Sequence, residues 1–254
     1  MKRSYFRHLS VLCFSVMLLL SPAASATDLV VSAASSLTNA FQAVARSYEA
    51  SHPKTHVVLN FASSDTLMRQ IANGAPADVF ASADQVAMNR AQAHGLIIAG
   101  TRTNFAGNQL VLIVPSLSHA KITTLQDLRG PAFKRIAWGN PASVPVGRYT
   151  ARVLADAGLT KALAPKAVLA DNVRQCLDYV SRDEVDAGFV YATDTAIAHG
   201  HVKVALKLPS PLPITYPIAI VAGTAHRAAA QSFQQFVLSP NGRSLLASFG
   251  FLEP

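Results

Sequence analysis

Apolar residues along this chain follow two alternating rhythms. Leu29 to Ala33 form a short run of strand character, and after Ser35-Ser36 the positions Leu37, Ala40, Phe41, Val44 and Ala45 recur at intervals of three and four, one face of a helix. Ser35 or Ser36 then stands at the helix N-cap. Val57 to Phe61 is a second strand, following His52-Pro53, which cannot continue a helix. Ala62-Ser63-Ser64-Asp65-Thr66 leads into Leu67, Met68, Ile71 and Ala72, a second helical face that stops at Asn73-Gly74. Two strand, Ser-Ser, helix junctions in β-α-β-α order predict a parallel sheet with strand ends and helix starts along one edge, the edge where such sheets bind ligands.

The α/β alternation continues. Asp78 anchors a turn into a third strand, Val79 to Ser82, and Asp84 caps the helix that carries Val86, Ala87, Arg90, Ala91 and His94. Gln109 to Val114 is apolar throughout, as in a strand buried on both faces. A short helix ends near Leu128, and a strand follows around Arg135 to Trp138. The loop from Gly139 to Gly147, rich in Pro and Gly, then enters a helix from Arg148 to Ala157, closed by Gly158. Asp171 or Asn172 caps a helix from Val173 to Val180, strands follow at Ala187 to Val190 and Val202 to Leu206, and Pro209 to Pro213 make a polar turn. Tyr216 to Val221 is a second long apolar strand, and helices at His226 to Val237 and Ser244 to Phe249 finish the chain. The two long apolar strands bracket the middle segment. This predicts two α/β lobes joined by two crossing strands, with residues 27–108 and 217–254 in lobe I and 109–216 in lobe II, hinged to close over a solute.

Residues 1–26 belong to neither lobe. Lys2, Arg3 and Arg7 precede an apolar run from Leu9 to Leu20 and the small-residue site Ala24-Ser25-Ala26, the pattern of a cleaved secretory signal peptide. The remainder is expected to be soluble and exported, with Cys176 as its sole cysteine and therefore no internal disulfide. The formal net charge of +8 falls by three without Lys2, Arg3 and Arg7, and the basic residues are scattered, without the aromatic interleaving of a nucleic-acid surface.

The chemistry lies at the helix starts. Each offers backbone N–H groups without intrahelical partners and the positive end of a helix dipole, with hydroxyl groups beside the first two, a setting suited to an anion. Neither serine pair has a His or Lys within its motif to act as a base, which disfavours the rival reading of an exported serine hydrolase. Tyr191 ends an apolar strand, Cys176 lies on an apolar helix face, and the histidines His52, His56, His94, His119, His199, His201 and His226 lack partners at metal-ligand spacing and are expected to be solvated.

Ser-Ala-Ala-Ser-Ser-Leu-Thr-Asn-Ala-Phe, Phe-Ala-Ser-Ser with Leu-Met-Arg-Gln-Ile, Gly-Ala-Pro-Ala-Asp-Val-Phe-Ala-Ser-Ala-Asp, Gly-Asn-Pro-Ala-Ser-Val-Pro-Val-Gly-Arg-Tyr, Asp-Asn-Val-Arg and Gly-Phe-Val-Tyr-Ala-Thr-Asp occur in that order over nearly the whole chain after residue 26. In this the chain resembles the periplasmic molybdate-binding proteins of ABC importers. The resemblance implies the two-lobed type II periplasmic binding protein fold and a tetrahedral oxyanion, molybdate or tungstate, in the cleft. It points to Ser36, Ser64, Val146, Val173 and Tyr191 as the binding residues, through two hydroxyls, two backbone amides and a phenol. It also implies delivery to an inner-membrane permease with its ATPase subunit, a monomer, no enzyme activity and no cofactor, with molybdenum held only as its oxyanion and never by direct protein ligands. Another oxyanion such as sulfate is the alternative. Val146 stands where the family often has Ala, and Asp65 where Ser or Gly is usual; Asp65 is expected to point outward from the first helical turn, where the dipole favours a carboxylate.

Molybdate, tungstate and sulfate are fully deprotonated near neutral pH, so all their oxygens accept, and a lining of N–H and O–H donors matches them. Phosphate keeps a proton and calls for an acceptor, which the implied contact set lacks.

Overall fold

A computed structural model describes residues 27–198, 200–209 and 213–254. Residues 1–26, expected to be a signal peptide, residue His199 and residues 210–212 of the expected polar turn lie outside them.

The opening apolar run is β1 (Thr27–Ala34), with Leu29, Val31 and Ala33 fully buried. It passes into a 3₁₀ turn, Ser35–Leu37, before α1 (Thr38–Ser51) begins. Neither serine of the first pair caps this helix, contrary to expectation. The residue before the turn is Ala34, and no side chain bonds back to the first turn's amides. The α1 face expected from the spacing is buried: Ala40, Phe41, Val44, Ala45 and also Tyr48. β2 (Thr55–Ala62), α2 (Ser64–Ala72), β3 (Val79–Ala81) and α3 (Gln85–Ala93) follow. β1 lies between β2 and β3, all parallel. The carboxylate of Asp78 ties the sheet together, accepting from Val30 N at 2.8 Å and from the Thr224 hydroxyl. β4 (Thr103–Asn108) is a strand that the sequence pattern does not announce, since its Thr-Asn-Phe-Ala-Gly-Asn has too few apolar positions to set a period.

The second sheet starts with β5 (Leu110–Pro115), buried at all six positions. A 3₁₀ turn (Leu125–Arg129), β6 (Ile136–Gly139), α4 (Pro145–Asp156), α5 (Thr160–Leu163), β7 (Ala167–Ala170), α6 (Val173–Ser181), β8 (Ala187–Tyr191), α7 (Ala192–Thr195) and β9 (Val202–Leu208) follow. The sheet order is β7-β6-β8-β5-β9, with β5 antiparallel to both neighbours and β6 parallel to β7 and β8. β5 is an interior strand, paired on both sides and buried at every position, which is why it carries no polar alternation.

β10 (Ile214–Ile220) returns to the first sheet, antiparallel between β3 and β4, giving β2-β1-β3-β10-β4. Ile214, Thr215 and Tyr216 pair with Asn108, Gly107 and Ala106, so the second boundary between the lobes falls before Ile214 and not after Tyr216. The two apolar runs are thus each confined to one sheet, and the chain crosses at two short joints, at Gln109 and between Leu208 and Ile214. Pro217 has no N–H for the ladder, and the register with β4 shifts at Tyr216/Pro217. α8 (Arg227–Leu238) and α9 (Pro240–Ser248) lie on the first lobe, where Phe233 meets Tyr48 and Phe41 with ring centroids 5.3 and 6.2 Å apart. Among the described residues no helix is long and apolar enough to cross a membrane.

Candidate functional site

Four helix or turn starts, two from each lobe, meet at one cavity between the sheets. Ala34, Ser35, Ser36, Ser63, Ser64 and Ala83 line it from the first lobe, and Val144, Pro145, Val146, Val173 and Tyr191 from the second. All five residues singled out from sequence, Ser36, Ser64, Val146, Val173 and Tyr191, face this one space and are buried. The cavity volume is about 10 Å³, far below the ~300–1,000 Å³ of pockets for drug-sized ligands, so the cavity suits at most a solute of a few heavy atoms.

The local chemistry leaves donors turned inward at each start. At α2, Ser63 is the cap: its hydroxyl accepts from Thr66 N at 3.4 Å and donates to Thr66 Oγ1 at 2.8 Å. Ser64 beside it is therefore not needed as a cap. Its Oγ accepts from Ala83 N at 3.0 Å, which commits one lone pair and leaves its hydrogen with no acceptor among the described residues except what enters the cavity. At α6, Asn172 Oδ1 accepts from Arg174 N and Gln175 N at 3.0 and 3.1 Å, satisfying two of the orphan amides and leaving that of Val173 at the cavity. At α4, Pro145 occupies the first helical position, where its missing N–H removes nothing, and the next amide is that of Val146. The two glycines flanking this loop have a steric reason. A Cβ on Gly147 would lie 1.9 Å from the Gly139 carbonyl oxygen, and one on Gly139 would lie 2.4 Å from Val144 Cγ1, so only glycines let α4 begin tight against the end of β6.

Tyr191 closes the second lobe's side. Its phenol is buried and donates to the Ala83 carbonyl across the cleft at 3.4 Å, and burial holds it protonated far above the usual tyrosine range, with nearby Tyr216 adding to the effect. Among the described residues no carboxylate and no Lys or Arg side chain lines the cavity; its lining is amides, hydroxyls and small apolar surface.

Charged groups form a layer behind this lining, and they span the lobes. Asp65 does not point outward: it is fully buried, held by Arg90 of α3 and by Arg148 Nη2 of α4 at 2.6 Å. Arg148 Nε also donates to Asp84 Oδ2 at 2.7 Å, while Asp84 Oδ1 caps α3 through Ala87 N at 3.0 Å. One arginine of the second lobe thus links two carboxylates of the first, and both Asp65 oxygens are taken up away from the cavity. Burial raises the carboxyl pKa of Asp84, and Arg148 opposes it. On the other side, Arg174 reaches from α6 to the Ser35 and Ser36 carbonyls at 3.2 and 3.4 Å. Arg174 Nε also lies 3.2 Å from Asp194 Oδ1, close enough to attract but not aligned as a hydrogen bond, so that oxygen is unbonded among the described residues. Burial lifts Asp194 to a pKa of about 6 against the pull of Arg174.

Sequence reasoning missed Arg148 and Arg174 as bridges, although each directly follows a motif residue, in Val-Gly-Arg and Val-Arg. It also missed Ala83, whose amide lies at the end of a third strand entering a helix. Ser36 and Ser64 bond to a phenol and an amide, with no base on either, so neither has a nucleophile's environment. Cys176 is buried with its thiol on the Phe189 carbonyl at 3.3 Å. His52 is not simply solvated: its ring stacks on Tyr48 at 4.1 Å. Among the described residues no three His, Cys, Asp or Glu side chains cluster as a metal site.

The sequence matches the profile of the bacterial extracellular solute-binding proteins over residues 29–252. It is 38% identical to the molybdate-binding protein ModA of Escherichia coli (strain K12) over 232 residues, covering 88% of each chain. It is 33% identical to ModA of Haemophilus influenzae over 235 residues, 90% of this chain and 91% of that one. Of solved structures, the periplasmic molybdate-binding protein of Azotobacter vinelandii is similar with a TM-score of 0.80 and 25% identity, over 89% of this chain and 99% of that one. The sulfate-binding protein SubI of Mycobacterium tuberculosis shares the fold, with a TM-score of 0.77 at 19% identity over 89% and 86% of the two chains.

Proposed function

The chain belongs to the bacterial extracellular solute-binding protein family, and from that premise we propose that it captures molybdate, or its congener tungstate, for an ABC importer. Its relatives are substrate-binding proteins and not enzymes, and the cargo is a small oxyanion. What supports this above all is the convergence, on one uncharged cavity, of helix-start amides at Val146 and Val173, the hydroxyls of Ser36 and Ser64, and the Tyr191 phenol. These five residues are the proposed contacts. A dianion whose every oxygen accepts meets donors once the Tyr191 hydrogen leaves its long 3.4 Å bond to the Ala83 carbonyl, and the helix dipoles supply the compensating field. The carboxylate of Asp65, next in sequence to Ser64, is locked between two arginines and presents no acceptor to a protonated oxyanion.

Sulfate has the same charge and the same all-acceptor surface, and a sulfate-binding protein shares the fold, so it is the competing ligand. Calorimetric titration with molybdate, tungstate, sulfate and phosphate decides. Sub-micromolar binding of molybdate and tungstate is expected, with sulfate weaker and phosphate silent. Tight sulfate binding without heat from molybdate would reassign the ligand and keep the fold.

The basic start, apolar run and Ala-Ser-Ala site of residues 1–26 support export with cleavage and a periplasmic location. Delivery goes to an inner-membrane permease with its ATPase subunit. The protein acts as a monomer without nucleic acid or cofactor, the molybdenum being held through its oxygens and not by protein ligands.

A further inference from the structure

We propose that Asn108 and Tyr216, neither of which lines the cavity, fix the direction of the Ser36 hydroxyl so that it acts only as a donor to the bound anion. This rests on Ser36 being a ligand contact, as proposed above. Gln109 N–H donates to Asn108 Oδ1 at 2.8 Å, which identifies the other amide atom as Nδ2 with its two hydrogens. One goes to Thr193 Oγ1 at 2.9 Å and the other to the Tyr216 phenol oxygen at 3.2 Å. Tyr216 therefore accepts from Asn108 and turns its own hydrogen elsewhere; the acceptor at hand is Ser36 Oγ, 3.1 Å away. Ser36 then receives a hydrogen bond, and its own hydrogen is left for the cavity.

All three side chains are buried, so bulk water does not compete to reverse the order. Tyr216 is held in place by Phe251, Phe105 and Tyr191, with ring centroids 5.5, 6.3 and 5.8 Å away. Burial keeps its phenol protonated well above the usual tyrosine range. The relay begins at the joint between the two sheets, where Asn108 ends β4 and Leu110 opens β5, and runs from there to the cavity wall. Ser64 reaches the same donor-only state by a different route, through the Ala83 amide. The consequence is a specificity role for two residues outside the contact set. A singly protonated oxyanion such as hydrogen phosphate offers an O–H where Ser36, with one lone pair taken by Tyr216 and its hydrogen turned to the cavity, presents a donor in place of an acceptor.

The test is a double-mutant cycle in titration calorimetry at mildly alkaline pH, with molybdate and with inorganic phosphate as probes. Tyr216→Phe keeps the ring and removes the relay. It is expected to weaken molybdate binding roughly tenfold and to narrow the gap between the molybdate and phosphate Kd values, because the freed Ser36 oxygen can accept. In a Ser36→Ala background the same Tyr216→Phe change is expected to alter the molybdate Kd by less than about twofold. An equal loss in both backgrounds, or a weaker molybdate Kd with the ratio to phosphate unchanged, would overturn the relay and reduce Tyr216 to packing. Should Tyr216→Phe not fold, Asn108→Ala is put through the same cycle, with additivity again the refuting result. If the wild-type protein binds sulfate and not molybdate, the ligand assignment fails alone, and the cycle is run with sulfate, for which the relay makes the same prediction.

Discussion

Ser63 and Ser64 show at the scale of one residue how neighbouring serines divide two tasks. Ser63 caps α2 and Ser64, relieved of that role, keeps a hydrogen for the cavity. Ser64→Ala is accordingly expected to weaken molybdate binding by about tenfold while lowering the stability of the ligand-free protein by roughly 1 kcal/mol or less. Calorimetry and a thermal melt read the two effects separately, and a large apo destabilisation would assign Ser64 to structure. Asp194 makes a pH-dependent prediction. Its carboxyl is raised from 3.8 to about 6, chiefly by burial, so the folded state binds its proton more tightly than the unfolded one. Between about pH 4 and pH 6 the folded chain therefore holds more protons at this site, and its contribution to stability is lost as pH rises through that window. The rise corresponds to about 3 kcal/mol at most. The stability difference between the wild type and Asp194→Asn, followed by denaturant unfolding, should shift against the wild type from pH 4 to 6.5; a flat difference would refute the assignment. Ser64 was legible in sequence as a contact, whereas the surroundings of Asp194 and the partner of Ser36 were not. Tyr216 and Ser36 are 180 positions apart, and a pairing that distant leaves no local periodicity.

At the scale of the element, helix starts were the most legible feature, because the change from strand to helical period marks each one and Ser, Asn, Asp and Pro punctuate it. The period did not reveal that the first start is a 3₁₀ turn whose serines do not cap, since both arrangements place the same residues at the junction. β4 and β7 escaped because six polar-rich residues and four residues are too few to establish alternation. The Gly139 to Gly147 loop is the element on which the second lobe's donors depend most. Gly147→Ala places a Cβ against the Gly139 carbonyl, and is expected to cost more than about 2 kcal/mol of stability and to abolish molybdate binding together, as α4 is pushed away from β6. Unfolding and titration on the same sample check this. Full affinity in a stable variant would show that α4 tolerates the shift.

The two-lobed arrangement was readable because the apolar runs Gln109 to Val114 and Tyr216 to Val221 bracket an α/β segment. Where the chain returns to the first lobe was not readable, since buried strands of either sheet have the same composition. Also invisible was what holds the lobes together. Arg148 from one lobe meets Asp65 and Asp84 of the other, and Arg174 meets the Ser35 and Ser36 carbonyls, so the cleft is clasped on both sides by bonds that any opening must break. Removing the cation leaves two buried carboxylates with reduced compensation, a penalty that opening relieves. Arg148→Met is therefore expected to enlarge the radius of gyration of the ligand-free protein in small-angle scattering and to raise the molybdate Kd at least tenfold. An unchanged radius and affinity would show that the clasp does not govern closure. The central claim, that a dianion sits among donors contributed by both lobes, is tested most directly by crystallography of the molybdate-soaked protein with anomalous scattering at the molybdenum edge. The account predicts one strong peak in the cavity, with oxygens at about 2.7–3.1 Å from Ser36 Oγ, Ser64 Oγ, Val146 N, Val173 N and Tyr191 Oη. A peak elsewhere, or one coordinated directly by carboxylate or imidazole, would contradict it.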